Sequence, residues 1–261
     1  MTDHTQRFAG RVESYVKYRP SYPRAVLDLL ADECDLTRAS VVADVGSGTG
    51  LLSTLFLQDG NHIFGVEPNS EMRAAAEELL RDHPRLTSVA GTAEDTTLPD
   101  DSVDFVVAGQ AFYWFDVERA RAEFRRILKP GSWVIMIWNA RRRDATPFLI
   151  AYERLLRKHG TDYKQVEHGR TAAMVDQFFG SDVYETETFS NAQALDLEGL
   201  KGRLLSSSYV PARGEVGSET MLREAEKIFN QHQTDNTVTI EYDTKAYYGR
   251  VERGGRLPQP L

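Results

Sequence analysis

The sequence predicts an α/β fold built on a doubly wound sheet of parallel strands, and two observations support this prediction. Short apolar runs, which are typical of buried strands, alternate with segments of helical apolar spacing as far as residue 158. In addition, the first of these strands ends in a glycine-rich turn that leads directly into a helix, as in a βαβ unit.

The glycine-rich turn follows an apolar run at residues 41–45 and carries glycines at alternate positions, Gly46, Gly48 and Gly50. Because glycine has no side chain, a nucleotide-like ligand can lie against the backbone of such a turn. The spacing differs from the dinucleotide fingerprint G-x-G-x-x-G. Asp44 precedes the turn and would repel a diphosphate, whereas it suits a cation. S-adenosylmethionine (SAM), with its sulfonium and ammonium groups, therefore fits this turn better than NAD.

The run from Asp44 to Gly50 resembles the first motif of the class I SAM-dependent methyltransferases, and residues 98–106 are typical of the same family. The resemblance covers residues 8–140 well and is weak beyond them. It implies a Rossmann-like, seven-stranded doubly wound sheet whose last strand is antiparallel, together with helical cap insertions. The sixth strand is expected within residues 183–196 and the seventh at 237–242. The implied cofactor is SAM, which leaves as S-adenosylhomocysteine.

An acid at the end of the second predicted strand is the candidate ribose ligand. Glu67 follows Gly50 by about 17 residues, close to the roughly 20 expected of a ribose-binding acid in a Rossmann-like unit. A carboxylate there can accept hydrogen bonds from both ribose hydroxyls. The alternative is that Glu67 caps the next helix, which begins near Pro68. Met72 on that helix is expected either at the adenine edge or in the core.

The third and fourth predicted strands complete the expected SAM site. After the third strand, at residues 86–90, the family resemblance implies that Ala93 and Glu94 hold the adenine. The fourth strand, at residues 103–109, runs into an aromatic cluster, which should lie beside the methyl group because ligands bind beyond the carboxyl ends of strands. The family often has a histidine where this chain has Tyr113. A phenol ionises only near pH 10, so Tyr113 is a weak catalytic candidate and no base is identified.

A block near the N-terminus, from Tyr15 to Pro23, is similar to the start of small-molecule methyltransferases of the trans-aconitate and ubiquinone-pathway type. In that group the block folds across the SAM pocket. The resemblance implies that Arg19 pairs with the SAM carboxylate and that Tyr15 or Tyr18 closes the site; an ordinary surface arm is the alternative. A short helix is expected around Phe8 and Val12.

The predicted site has two parts, one for SAM and one for the acceptor. The residues predicted to bind SAM are Tyr18, Arg19, Asp44, Gly46, Ser47, Gly48, Gly50, Leu51, Glu67, Pro68, Met72, Thr92, Ala93, Glu94 and Gln110. The residues predicted to line the acceptor pocket are Tyr113, Trp114, Trp138, Asn139 and Tyr209. Trp138 and Tyr209 are equally compatible with a place in the core.

Composition narrows the function classes. The net charge of −8 argues against nucleic acid as a partner. A single cysteine, Cys34, excludes a disulfide framework and fits the cytoplasm. The sequence shows neither a signal peptide nor a long apolar run, so we expect neither secretion nor a membrane span. The histidines lack the spacing of metal ligands. The cluster Arg141–Arg143 is interpreted as a solvated loop in preference to an anion-binding site.

We therefore predict three regions: an N-terminal lid and first helix (1–35), a SAM-binding core (36–158), and a C-terminal part (159–261) with a substrate cap and the last two strands. The cap is expected from residues 159–182 and about 197–232, and the tail at 254–260 is expected to fray. The predicted function is methyl transfer by direct displacement to a small molecule, in a monomer or homodimer. The alternatives are a protein or tRNA methyltransferase, a non-catalytic SAM-binding partner subunit and, disfavoured by its glycine spacing, a dehydrogenase.

Overall fold

The computed structural model describes residues 12–161, 163, 171–180 and 182–251. The expectations for Phe8 and for the tail at 254–260 lie outside these residues, as does part of the expected cap between 159 and 182. No helix in the described ranges is both long and apolar enough to cross a membrane.

Seven strands form a single sheet. They are β1 (Val41–Val45), β2 (His62–Val66), β3 (Leu86–Val89), β4 (Val103–Gly109), β5 (Leu128–Arg141), β6 (Tyr184–Leu195) and β7 (Val238–Arg250). Their order across the sheet is β3-β2-β1-β4-β5-β7-β6, and β7 runs antiparallel to both of its neighbours. The predicted doubly wound sheet with an antiparallel last strand is confirmed. The seventh strand is about twice as long as predicted, because it pairs with β6 from Val238 to Gly249 and with β5 from Tyr242 to Arg250.

The helices within the described ranges lie on both faces of this sheet and beyond one edge. They are α1 (Val12–Tyr18), α2 (Ala25–Cys34), α3 (Leu51–Asp59), α4 (Ser70–Leu79), α5 (Val117–Ile127), α6 (Pro147–His159), α7 (Thr171–Phe179), α8 (Leu197–Leu205) and α9 (Ser218–His232). Polar caps mark several of the starts, since side-chain oxygens of Asp116, Thr146 and Asp196 accept backbone N–H bonds from the first turns of α5, α6 and α8.

Three apolar clusters hold these layers together. Apolar residues of α5 and α7 pack on one face of the sheet, and those of α2 and α3 pack on the other. The third cluster lies among α6, α8, α9 and the adjoining ends of β6 and β7, where Leu195, Ile240 and Tyr242 are buried. The helices after β5 therefore form a cap with a core of its own.

Backbone carbonyl groups of the N-terminal segment accept hydrogen bonds from side chains of the sheet, and these bonds hold the segment across it. The carbonyl oxygen of Ser21 accepts hydrogen bonds from the side chains of Asn139 (3.2 Å) and Asn191 (2.8 Å), and that of Tyr18 accepts one from Gln193 (3.0 Å). The ring of Tyr18 packs against Gly202 of α8, where there is no room for a Cβ. These contacts set Arg19 between the sheet and the cap.

Candidate functional site

The glycine turn after β1 takes a conformation that suits glycine at each alternate position. Gly46, Gly48 and Gly50 have φ angles of +71°, +57° and +83°, in the left-handed region that side chains disfavour. The backbone N–H groups of Gly46 and Ser47 both donate to the carbonyl oxygen of Val66, at 2.8 and 3.1 Å, which ties the turn to the end of β2. Among the described residues, only Met72 would lie within 4 Å of a Cβ on Gly48, so the backbone of this glycine faces open space.

Glu67 lies directly beside this turn. Its Oε2 atom accepts a hydrogen bond from the backbone N–H of Gly48 (2.9 Å), and its Oε1 atom accepts one from the N–H of Asn69 (2.8 Å). Burial is the main reason that the pKa of Glu67 lies above its ordinary value. The cap of α4 is Asn69, whose side chain accepts from the N–H groups of Glu71 and Met72. The capping role considered for Glu67 therefore belongs to Asn69.

The loop after β3 is held by its own polar groups. The Thr92 hydroxyl accepts the backbone N–H bonds of Glu94 (3.2 Å) and Asp95 (3.1 Å). The Glu94 carboxylate accepts the backbone N–H of Asp116 at 2.8 Å, which connects this loop to the aromatic segment after β4. Ala93 between them is buried.

The segment after β4 begins with a strained residue. Gln110 has a φ angle of +59°, which is uncommon for a residue with a side chain and is often found at functional sites. Its side-chain amide donates to the carbonyl oxygen of Asn139 at 3.1 Å. A short 3-10 turn at Phe112–Trp114 follows. Burial, with a smaller effect of Tyr15, raises the pKa of Tyr113 to about 12, so this phenol is protonated at neutral pH.

These elements enclose a cleft of about 950 Å³, a volume that includes its open mouth and is suited to a cofactor-sized ligand. The residues that line the cleft are Tyr15, Arg19, Gly46, Gly48, Glu67, Pro68, Asn69, Met72, Thr92, Ala93, Glu94, Gly109, Gln110, Ala111, Tyr113, Trp114 and Phe115. The cleft lies at the carboxyl ends of β1, β2 and β4, where open α/β sheets bind their ligands.

A second cavity adjoins the cleft on the side of the cap. Its lining residues are Arg19, Gln110, Tyr113, Asn139, Arg141, Arg143, Tyr163, Arg203, Ser208, Tyr209 and Tyr242. Arg19, Gln110 and Tyr113 belong to both cavities. The two spaces therefore meet at the aromatic segment after β4.

Comparison with known proteins gives a consistent family assignment. Residues 43–136 match the family model described as a methyltransferase domain. This match and the relatives described next support an assignment to the class I SAM-dependent methyltransferases. An uncharacterized methyltransferase of Mycobacterium tuberculosis is 37% identical over 139 residues, which are 53% of this chain and 54% of that protein. The chain thus matches about half the length of these curated relatives, while an uncharacterized methyltransferase-like protein of Schizosaccharomyces pombe is 28% identical over 94% of this chain and 95% of its own length.

Solved structures show the same fold. A protein of Anaeromyxobacter dehalogenans named as a type II methyltransferase superposes with a TM-score of 0.66 at 24% identity, covering 90% of this chain and 98% of that one. An Anabaena variabilis protein, named as a methyltransferase from an antibiotic biosynthesis pathway, gives a TM-score of 0.59 at 18% identity over 90% and 99% of the two chains. At these identities the likeness shows the fold alone and nothing about an acceptor.

Some residues predicted from the methyltransferase motifs lie outside both cavities. They are Tyr18, Asp44, Ser47, Gly50, Leu51 and Trp138. Trp138 was a candidate acceptor contact, but it is 3% exposed and its ring packs edge-to-face on Phe112 and Tyr247. Because side chains alternate along β5, Trp138 faces the core while its neighbour Asn139 lines the second cavity.

Asp44 lies beneath the glycine turn. Its Oδ2 atom accepts the hydroxyl hydrogen bond of Ser53 (2.6 Å), and its Oδ1 atom is buried without a hydrogen-bond partner among the described residues. Burial raises the pKa of Asp44 from 3.8 to about 7, partly opposed by the Ser53 bonds. This carboxyl group is the strongest candidate for a titrating group near neutral pH in this part of the fold.

The interpretation of Arg141–Arg143 as a solvated loop was wrong for Arg141. This residue ends β5, its side chain is only 10% exposed, and it pairs with Glu153 of α6. Arg142 pairs with Asp243 and Glu241 of β7. Sequence reasoning also missed lining residues of the cleft, namely Asn69, Gly109, Ala111 and Phe115, and most of the second cavity. The missed residues of the cleft lie close in sequence to the predicted ones, and this closeness is the signal that could have identified them.

Proposed function

We propose that this methyltransferase transfers the methyl group of SAM to a small-molecule acceptor by direct displacement. The observation that carries the proposal is the contact between the glycine turn and Glu67. A left-handed glycine presents bare backbone to the cleft, and a buried carboxylate lies at hydrogen-bonding distance from it. This pairing suits an adenosine ribose beside a thin backbone wall.

The described residues fit SAM at each end of the cleft. Glu67 would accept the ribose hydroxyls, and the loop with Ala93 and Glu94 would hold the adenine. Arg19 also lines the cleft and would bind the carboxylate of SAM. A Cβ on Gly46 would lie 2.6 Å from the Cβ of Ala111, so the absence of a side chain there keeps the turn and the aromatic segment close.

When bound, SAM supplies a methyl group on a positively charged sulfur, which is already a good leaving group. The protein then has to align the acceptor and exclude water, and correct alignment alone can lower the barrier by many kcal/mol. Tyr113 and Gln110 line both cavities and Trp114 lines the cleft, and these three side chains would position the acceptor. With a pKa of about 12, Tyr113 would act as a hydrogen-bond donor or an apolar wall rather than as a base.

The small-molecule acceptor is supported by the position of the second cavity. It lies between the sheet and residues of the cap, such as Arg203 and Tyr209, and helical caps of this kind shield a reaction from water. The net charge of −8 disfavours tRNA as the acceptor. We further propose a cytoplasmic protein that acts as a monomer or homodimer, without a nucleic-acid or membrane partner.

The proposal is tested by titrating the purified protein with SAM, S-adenosylhomocysteine and NAD in a calorimeter. We expect micromolar binding of the first two ligands and none of NAD. Binding of NAD alone would overturn the assignment. Incubation with methyl-labelled SAM and fractionated metabolites then tests turnover: a labelled small product supports the enzyme, a labelled protein identifies a protein acceptor, and SAM binding without any labelled product identifies a non-catalytic subunit.

A further inference from the structure

Arg203 of α8 is a buried cation whose hydrogen-bond partners are uncharged. The residue is 6% exposed and lines the second cavity. Its Nε atom donates to the hydroxyl of Tyr242 (3.3 Å), and its Nη1 atom donates to the hydroxyls of Ser207 (2.9 Å) and Ser206 (3.4 Å). Nη2 takes part in none of these bonds. Within the described ranges, Arg203 has no carboxylate partner.

A buried charge without a counter-ion is costly, because the loss of hydration is not offset by an opposite charge. An arginine cannot avoid this cost by releasing its proton, since its pKa is far above neutrality. Buried arginines are therefore normally paired with carboxylates. A bound anion that enters the cavity would supply the missing pair for Arg203.

Two more arginines bring unused donors to the same cavity. The Nε atom of Arg19 and the Nη1 atom of Arg141 are both buried without a hydrogen-bond partner among the described residues. Arg19 otherwise donates to the carbonyl oxygen of Ser206 (2.7 Å) and lies over the ring of Tyr15. Arg141 is partly neutralised by Glu153. The three side chains come from the N-terminal segment, β5 and α8, and they meet only in the folded chain.

From this geometry we propose that the second cavity binds an anionic oxygen group of the acceptor, a carboxylate or a phosphate, and that Arg203 is its main ligand. This inference rests on the proposed function, because it places the acceptor in the cavity beside the SAM cleft. Guanidinium groups bind such anions through two parallel N–H bonds. Arg141 would complete the contact, Arg19 would lie between this anion and the carboxylate of SAM, and the anion would orient the rest of the acceptor toward Tyr113.

The test measures thermal unfolding and calorimetric binding of the full chain saturated with S-adenosylhomocysteine. The probes are succinate, inorganic phosphate and, as a neutral match for succinate, succinamide. The variants are Arg203→Met, Arg203→Lys and Arg142→Met. Arg142→Met is a matched control, because this substitution removes the same charge from a surface ion pair outside both cavities.

We expect at least one of the two anions to bind and to stabilise the wild-type protein, whereas succinamide does neither. Arg203→Met should weaken the binding of that anion by about tenfold or more, Arg203→Lys should weaken it less, and Arg142→Met should leave it unchanged. Binding of succinate alone identifies a carboxylate site, and binding of phosphate alone identifies a phosphate site. Without anions, Arg203→Met should unfold at a temperature equal to or above that of the wild type.

Three results would overturn the inference: no binding of either anion at millimolar concentration, equal binding by Arg203→Met, or strong destabilisation by Arg203→Met without a change in anion affinity. The last result would make Arg203 a structural residue of the cap. Failure of the proposed function can be distinguished from failure of this inference, because it would appear as the absence of SAM binding in the wild type and in every variant.

Discussion

The backbone N–H of Gly48 donates a 2.9 Å hydrogen bond to the carboxylate of Glu67, which joins the turn after β1 to the residue after β2. The two residues follow neighbouring parallel strands that end at the same edge of the sheet. A ligand that contacts the turn therefore also contacts the acid. The same carboxylate accepts the N–H of Asn69, so its orientation is set before any ligand binds.

Replacing Gly48 by valine should abolish detectable SAM binding. The new Cβ would have only the Met72 methyl group nearby, at 3.4 Å, so the branched side chain would extend into the cleft. The φ angle of +57° should also lower the free energy of unfolding by about 1–2 kcal/mol. Calorimetric titration with SAM measures the first effect, and chemical denaturation measures the second.

Gly131→Val is the matched control for this change. Gly131 has a φ angle of +79° and nothing within 4 Å of an added Cβ, and it lies outside the cleft. The Gly131→Val variant should therefore show the same decrease in the free energy of unfolding and keep its affinity for SAM. Unchanged SAM affinity in Gly48→Val would refute the role of the turn as a cradle.

Replacing Glu67 by alanine should weaken SAM binding by about 1–3 kcal/mol, the scale of leaving buried donors unpaired. Glu71→Ala is a suitable control, because this acid lies in the first turn of α4 and is exposed. Titration of both variants with SAM gives the comparison. An equal affinity in Glu67→Ala and the wild type would return Glu67 to a purely structural role.

Replacing Asn69 by alanine should lower the free energy of unfolding by about 0.5–2 kcal/mol, because the N–H groups of Glu71 and Met72 lose their cap. Denaturation with urea measures this change. Comparison with Glu67→Ala separates the two functions, since the cap variant should lose more stability than cofactor affinity. A stability equal to that of the wild type would show that water replaces the cap without cost.

Asp44→Asn should make the protein more stable, and the gain should grow with pH. In the wild type the pKa of Asp44 is about 7 in the folded protein against 3.8 when exposed, so the folded state holds a proton that the unfolded state has released. Stability from this group is therefore complete below about pH 4 and is lost as pH rises through 7. Asparagine carries no such charge.

The difference in the free energy of unfolding between Asp44→Asn and the wild type should reach about 2–4 kcal/mol at pH 8 and stay constant at higher pH. Urea denaturation of both proteins at several pH values between 5 and 8.5 measures it, and contributions from other groups largely cancel in the difference. A gap that does not change with pH would mean that Asp44 stays ionised in the folded state throughout this range.

The sheet and the SAM cleft could be predicted in large part from local sequence. Strands β1 to β4 are short apolar runs bounded by turns, and their carboxyl ends carry the residues that line the cleft, such as Glu67 and Gln110. The prediction was less complete at positions where the direction of the side chain decides whether a residue lines the cleft. Asp44 lies two residues before the lining residue Gly46, and Trp138 directly precedes the lining residue Asn139, but both side chains are buried in the protein.

The second cavity could not be predicted in the same way. Arg19, Arg141 and Arg203 are far apart in sequence; Arg19 was predicted only as a ligand of SAM, and Arg203 belongs to no motif that the sequence analysis identified. Arg141 was interpreted as solvated because clusters of charge usually are. Its burial depends on α6, which supplies Glu153 and covers the end of β5. No local pattern contains that information.

What the sequence determined by itself was the turn, the neighbouring acid and hence the likeness to SAM-dependent methyltransferases, because left-handed backbone at Gly46, Gly48 and Gly50 is a local property of glycine. Only the tertiary structure decided which cations meet in the second cavity. The reason is physical: the burial and pairing of a charge depend on every element that packs around it, and three elements distant in sequence surround Arg203.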